Sequence, residues 1–233
     1  MTEAEWLNCT DPMLMLCFLR GKPEARRKLR LFACSCCRRN LDLLIPAARE
    51  KLEVAERFAD GLVSQLERQQ AREVAFHLGW NPDPATAHRR GPAKACVCDA
   101  LARRPHQAAM GAAFRFQHMD RSRLLPPKAP NEQPQLESWR DGRARVQIQL
   151  VNQIREVFGN PFRAVDVSFV WLSPDGVNLA QAIYDERAFE RMPQLADALV
   201  AAGCGDCDIL NHCRSEEPHF RGCWVVDLLL GKG

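Results

Sequence analysis

Long apolar stretches are missing from this chain. The longest runs only from Met13 to Leu19, far short of the roughly twenty residues a bilayer-spanning helix needs, so no membrane segment is expected. The N-terminus opens with Glu3 and Glu5 rather than a basic stretch leading into an apolar one, so a secretory leader is not expected and a cytoplasmic location is. Glycine-rich phosphate loops of the Walker or dinucleotide type are absent. So are internal repeats, which removes support for a solenoid. Tyrosine occurs once against eleven phenylalanines. With a net charge of only +3 and a pI near 8.3, the chain lacks the strong basicity and the aromatic interleaving of a dedicated nucleic-acid binder.

Cysteine, by contrast, is abundant: eleven in 233 residues. Disulfides persist mainly in secreted proteins, and a chain of this length can bury its own core, so these residues are expected to stay thiols. Their remaining uses are packing, metal ligation and reactivity, with packing the default for any single one.

Charge is unevenly placed. Residues 1–128 carry 22 lysines and arginines against 14 acids, net +8, whereas residues 129–233 carry 10 against 15, net −5. Such asymmetry marks either an acidic partner for the front half or attraction between halves. In the front half Arg26, Arg27, Lys28 and Arg30 form the densest cluster that could neutralise phosphates. Solvated helix faces are the bland alternative.

Helical patterning runs almost throughout. Asp11 before Pro12 is a start signal, because Asp accepts from orphan amides and Pro tolerates the first helical position. From Glu24 to Leu44, Leu29, Phe32, Ala33 and Cys36 recur at helical spacing beside a second face of Cys34, Cys37, Leu41 and Leu44. Pro46 opens a helix with the stripe Leu52, Ala55, Phe58 and Ala59, closed by Gly61. Ser64 and Glu67 form a capping box ahead of Ala71, Val74, Ala75 and Leu78. Residues 80–93 read as a break, and helix resumes from Ala93 to Met119 with a joint at Pro105 and small residues for close approach. Pro126, Pro127, Pro130 and Pro134 read as a stiff linker. Beyond it Trp139, Val146, Leu150, Ile154 and Val157 mark a long amphipathic helix. Val165, Val167 and Phe169 alternate as one short extended segment. Ser173-Pro174, Pro193 and Gly203 punctuate further helices, and Trp224 to Leu230 reads as the last. The expected fold is therefore all-α, an irregular multi-helix bundle. Residues 1–122 form a basic helical domain, 123–138 a proline-rich linker and 139–233 an acidic helical domain, with the two halves free to pack as one unit.

The opening Met-Thr-Glu-Ala-Glu-Trp-Leu, the segment Lys28 to Cys34 with Cys36-Cys37-Arg-Arg, Phe158-Gly-Asn-Pro-Phe-Arg163, Leu179 to Tyr184, Leu195 to Leu199 and Arg221 to Gly231 together resemble a large paralogous family of uncharacterised planctomycetal bacterial proteins. The resemblance covers both ends of the chain, with residues 62–136 carrying least of it. It implies a bacterial source and brings no established activity.

The chemistry concentrates near the C-terminus, where Cys204, Cys207, His212, Cys213, His219 and Cys223 crowd together. Zinc takes four N or S donors in a tetrahedron, commonly from a Cys-x2-Cys pair and a second pair farther on. Cys204, Cys207 and His212 match the front of a zinc knuckle and Cys223 could close it, with Glu217 standing where the usual fourth ligand would fall. The metal-free alternative is a helix over residues 207–213 with Cys213 beside Ile209 in the core and His212 paired to Asp208. Cys34-x2-Cys37 is a second candidate pair, set in an apolar helix that favours packing. Cys96 and Cys98 fall on different faces of a helix. A cysteine enzyme has nameable parts too: Cys223 as a nucleophile at a helix start, His219 as base and Asp227 as orienting group. No motif ties these three together.

These readings rank a non-catalytic helical interaction or regulatory module first, with another protein as its partner. A zinc-stabilised or nucleic-acid-binding protein comes next, and a cysteine-dependent hydrolase or transferase last.

Overall fold

The computed structural model describes residues 1–78, 87–124, 136–163, 165 and 173–232. Among them are twelve α-helices and no strand, so the all-α expectation holds. The helices are α1 (Glu3–Asn8), α2 (Pro12–Phe18), α3 (Ala25–Arg38), α4 (Pro46–Ala59), α5 (Gln65–His77), α6 (Ala87–Ala100), α7 (Pro105–Leu124), α8 (Leu136–Phe158), α9 (Pro174–Glu186), α10 (Met192–Ala201), α11 (Cys207–Cys213) and α12 (Trp224–Leu229). No described helix is long and apolar enough to cross a membrane.

The contacts divide the chain into two compact units, Glu3–Ile154 and Arg155–Gly233, with the division inside α8. The proline-rich segment expected to mark a boundary lies, over residues 125–135, outside the described residues.

In the first unit α3 is the central element, packed on α4, α6 and α7. Its ten buried residues include Leu29, Phe32, Ala33, Cys34, Cys36 and Cys37, as two adjoining apolar faces require. The helix stops at Arg38, short of the expected Leu44, because Asn40 turns its side-chain amide back to the Cys36 carbonyl while its backbone amide bonds Cys37. A 3₁₀ turn over Leu41–Leu43 follows. Trp6 of α1, Met15 and Leu16 of α2, Leu52 of α4 and Phe116 of α7 are all fully buried. The sequence patterning did not mark α1, which is one and a half turns long and held by Trp6.

Capping sets several boundaries. Asp11 accepts from the Met13 amide at 2.8 Å, and Ser64 and Glu67 complete their reciprocal box at 3.1 and 2.7 Å. Gly61 and Gly203 take the left-handed conformation at φ 74° and 86° that ends a helix without a Cβ penalty.

Two expectations are corrected. The break over residues 80–93 is shorter than it reads, since α6 already begins at Ala87 and contains Pro92. A proline this near a helix start forfeits one hydrogen bond, and burial of Ala93, Cys96, Val97 and Ala100 outweighs that loss. On α5, Val74 is exposed rather than part of the inner stripe. Of the extended segment only Val165 is described, while Val167 and Phe169 lie outside the described residues.

Among the described residues of the first unit, the buried charged groups Arg30, Glu56 and Arg68 all have partners. Arg38 holds Glu56 of α4 through two contacts of 2.8 and 2.9 Å. Arg30 donates to the carbonyls of Ala102 and Arg103 at 2.7 and 2.6 Å, and Arg68 reaches that of Leu101. These carbonyls follow the end of α6, where orphan acceptors favour cations. Burial, and then the nearby Arg68, lower the Arg30 guanidinium to about 10, so it stays charged at neutral pH.

The second unit is built from shorter helices. Here α9 packs on α10 and α12, and α11 bridges α10 and α12. Its core joins Ala180, Ile183, Leu195, Leu199, Ile209, Val225 and Val226 with the thiols of Cys204 and Cys213.

Candidate metal centre

Four side chains of the second unit converge from separate pieces of chain. Glu156 projects from the last turn of α8, His212 from the last turn of α11, His219 from the following loop, and Cys223 is the N-cap of α12. One donor atom from each lies within 4.8 Å of all the others.

Local structure sets these positions. Asp206 caps α11 by accepting from the amides of Asp208 and Ile209 at 3.0 and 3.2 Å. Arg163, just beyond α8, bonds Asp206 at 2.7 Å and also pairs with Asp208. That clamp fixes the start of the helix carrying His212. Gly159, at φ 60°, ends α8 against the Trp224 indole, where an added Cβ would come within 3.0 Å of the ring. The same indole lies 5.2 Å from the His212 ring, so a close backbone approach at Gly159 seats the wall of the site.

The geometry is that of atoms aimed at one point. His212 Nε2 lies 3.1 Å from Glu156 Oε2 and 3.2 Å from Cys223 Sγ. His219 Nδ1 is 3.0 Å from the same Glu156 oxygen, and the two imidazoles meet edge to face at 4.9 Å. The second carboxylate oxygen accepts from the Phe220 backbone amide at 3.4 Å, which orients it. Glu156 and Cys223 are buried, and the His219 side chain is 5% exposed against 16% for His212. The other nitrogen of His219, Nε2, is buried without a partner.

The electrostatics follow. Burial pulls the Glu156 carboxyl up, but hydrogen bonds from His212 and His219 outweigh it and hold the group below the usual glutamate range. Cys223 goes the other way. Burial first, and then the Glu156 charge, push its thiol well up, against the weaker pull of the Val226 and Val225 amides. A helix start ordinarily lowers a thiol, but α12 is only six residues long and its dipole does not offset the removal of this sulfur from water.

The placement of the sequence candidates is mixed. His212 and Cys223 stand together. Cys204 sits in the apolar core, and Cys207 is exposed at the start of α11, its sulfur directed to the Gly205 carbonyl at 3.9 Å; neither belongs to the four-donor group. Five residues of α-helix separate Cys207 from His212 by about 140° around the axis, which turns them to different faces. His212 also does not pair with Asp208, because Arg163 takes that carboxylate. Glu156 had no local signal: it lies in an amphipathic helix far upstream, and only folding brings it to the histidines.

For a cysteine enzyme, His219 contacts Glu156 and Asp227 is buried in α12. The base facing Cys223 would be His212, yet its carboxylate neighbour sits on the same ring nitrogen as the thiol. A nucleophile–base–orienter relay needs the carboxylate on the opposite nitrogen. Of the basic cluster, Arg30 is buried, Arg27 is bound to Asp60 at 3.0 Å, and Arg26 is exposed.

Comparison with protein families, with curated proteins and with solved structures finds no match for this chain.

Proposed function

We propose that this chain is a metal-stabilised helical module without catalysis of its own, in which Glu156, His212, His219 and Cys223 hold one zinc-class ion. The observation that carries this reading is convergence: the four donors lie within 4.8 Å of one another, with His212 Nε2 shared between carboxylate and thiol. A tetrahedral ion with bonds of about 2.0–2.3 Å needs donor separations of about 3.3–3.7 Å. The separations of 3.0–3.2 Å and the outer limit of 4.8 Å bracket that range, so side-chain rotation suffices.

The donor set also suits the ion. Two imidazoles, a thiolate and a carboxylate match zinc among the common divalent metals. Four protein ligands leave no open position, which favours a structural over a catalytic role. An ion would take up the negative charge of a buried carboxylate and of a buried thiolate, which burial otherwise disfavours. The Phe220 amide then serves as the partner that orients the Glu156 ligand.

The test is metal content of protein purified without added zinc, followed by titration of the stripped chain with cobalt. One equivalent per chain is expected, with the visible absorption of tetrahedral cobalt and a thiolate charge-transfer band. Cys223→Ser, His212→Ala and Glu156→Gln should each lose most of the metal, and Cys223→Ser should abolish the thiolate band. Cys207→Ser should change neither. Metal that survives all three changes, or that follows Cys207 instead, would overturn the assignment.

A further inference from the structure

The first unit holds a separate constellation of sulfur. Cys34, Cys36 and Cys37 of α3 and Cys96 of α6 are all buried, and Cys37 and Cys96 bring their sulfurs to 3.0 Å. That is about 1 Å beyond a disulfide bond of roughly 2.05 Å. Of the neighbouring thiols, Cys36 meets the Gln153 side chain of α8 at 3.6 Å, Cys98 is half-buried two residues beyond Cys96, about 200° around the helix, and Cys34 lies near enough to both sulfurs of the pair to interact with them.

We propose that Cys37 and Cys96 are a disulfide-forming pair, which closes while the first unit folds in an oxidising medium and braces α3 to α6. Two S–H bonds break and one S–S bond forms. A low-molecular-weight disulfide accepts the two electrons and two protons and leaves as two thiols, by way of a mixed disulfide. The helices already stand side by side, so the bond adds a cross-link to an existing contact rather than creating one. It would also close a long loop through α4 and α5, the case in which a cross-link most restricts the unfolded chain.

Burial makes the state of the pair persistent once it is set. The Cys37 thiol is pushed well up, by burial first and then by the adjoining Cys96 sulfur, so little thiolate forms to drive exchange in the native fold. Closure belongs to folding, and reduction requires local opening.

The experiment refolds the full reduced chain in a glutathione redox buffer, labels remaining thiols and maps peptides by mass spectrometry without reduction. Trypsin places Cys34, Cys36 and Cys37 in one peptide, residues 31–38, and Cys96 and Cys98 in another, residues 95–103. A joined species lighter by two hydrogens is expected. It should be lost with Cys37→Ser or Cys96→Ser and kept with Cys34→Ser, Cys36→Ser or Cys98→Ser. The joined chain should also denature at higher urea than the reduced one. Free, labelled Cys37 and Cys96 after oxidative refolding would overturn the proposal, as would equal joining in Cys37→Ser through Cys34 or Cys36. Cys223→Ser should leave the joining intact, so failure of the metal reading and failure of this one are told apart.

Discussion

The two units bury polar groups by different means. In Glu3–Ile154, large side chains such as Trp6, Phe32 and Phe116 fill the core, and the charges taken inside are matched there: Arg38 by Glu56, Arg30 and Arg68 by backbone carbonyls. In Arg155–Gly233 the core is built mostly of alanine and aliphatic side chains around Tyr184 and Met192, with the thiols of Cys204 and Cys213. At its edge a buried carboxylate, two imidazoles and a third buried thiol meet at one point. The first arrangement closes its own account of charge. The second sets a carboxylate held ionised by two imidazoles beside a thiol that burial keeps protonated, and it sits in a unit near the length, roughly 70–80 residues, below which one apolar core rarely suffices and a metal often stands in.

The widest test of that contrast is metal removal. Structural zinc contributes on the order of 10 kcal/mol or more in small domains, beyond the few kcal/mol a core of this size supplies. Chelation should therefore melt α10, α11 and α12 while α3 and α7 keep their amide protection. Hydrogen exchange followed by peptide reads both units in one sample. Equal loss in the two units, or none in either, would break the comparison.

A core truncation should act in the opposite direction. Phe32 is fully buried in α3, and Phe32→Ala should cost about 3–5 kcal/mol through lost burial and the cavity left behind. Urea denaturation measures that loss. Metal content should not change, because the donors all belong to the second unit.

These contrasts were unevenly legible in the amino-acid sequence, for identifiable physical reasons. Helix starts and stops were readable where a local device sets them: Asp11 before Pro12, the Ser64–Glu67 box, Gly61 and Gly203. They were not readable where packing decides. Pro92 looked like a breaker, but burial of Ala93, Cys96 and Val97 carries α6 across it. Asn40 ended α3 through a side-chain bond that periodicity does not encode. At the site, His212, His219 and Cys223 were visible as a dense span. The Cys-x2-Cys spacing drew Cys204 and Cys207 into the ligand set, whereas the helix over residues 207–213, the metal-free alternative with Cys213 beside Ile209 in the core, is the one that forms and rotates Cys207 away from His212. Glu156 was silent, since a glutamate on an amphipathic helix looks solvated until the loop bearing His219 and Phe220 folds over it.

The internal matching of charge in the first unit can be probed directly. Glu56 is 2% exposed and its Arg38 partner 16%. Removing one member of a buried pair costs about 3–5 kcal/mol, because the other is left uncompensated. Glu56→Leu should cost about 3 kcal/mol, as Arg38 retains a path to water. Replacing both with leucine should recover much of the loss in urea denaturation. If the single and double variants are equally unstable, the pair is not what holds α3 to α4.

The smallest expected effect lies at the surface of the first unit, where stability should depend on neither metal nor core. Ser64→Ala removes the hydroxyl that accepts from the Glu67 amide and should cost about 1 kcal/mol, the usual worth of an N-cap. The same box sets a sign with pH. The Ser64 backbone amide first, and then its hydroxyl, hold the Glu67 carboxyl below its ordinary value. Its contribution is therefore complete above the unfolded glutamate range and fades as pH falls through the lowered folded value. Difference curves of stability against pH for wild type and Glu67→Gln should separate above that range and converge below it. Exchange at the first turn of α5 should report the change, while α11 and α12 stay as they were. A response in the second unit to so local a change would mean that the two units do not gain their stability separately.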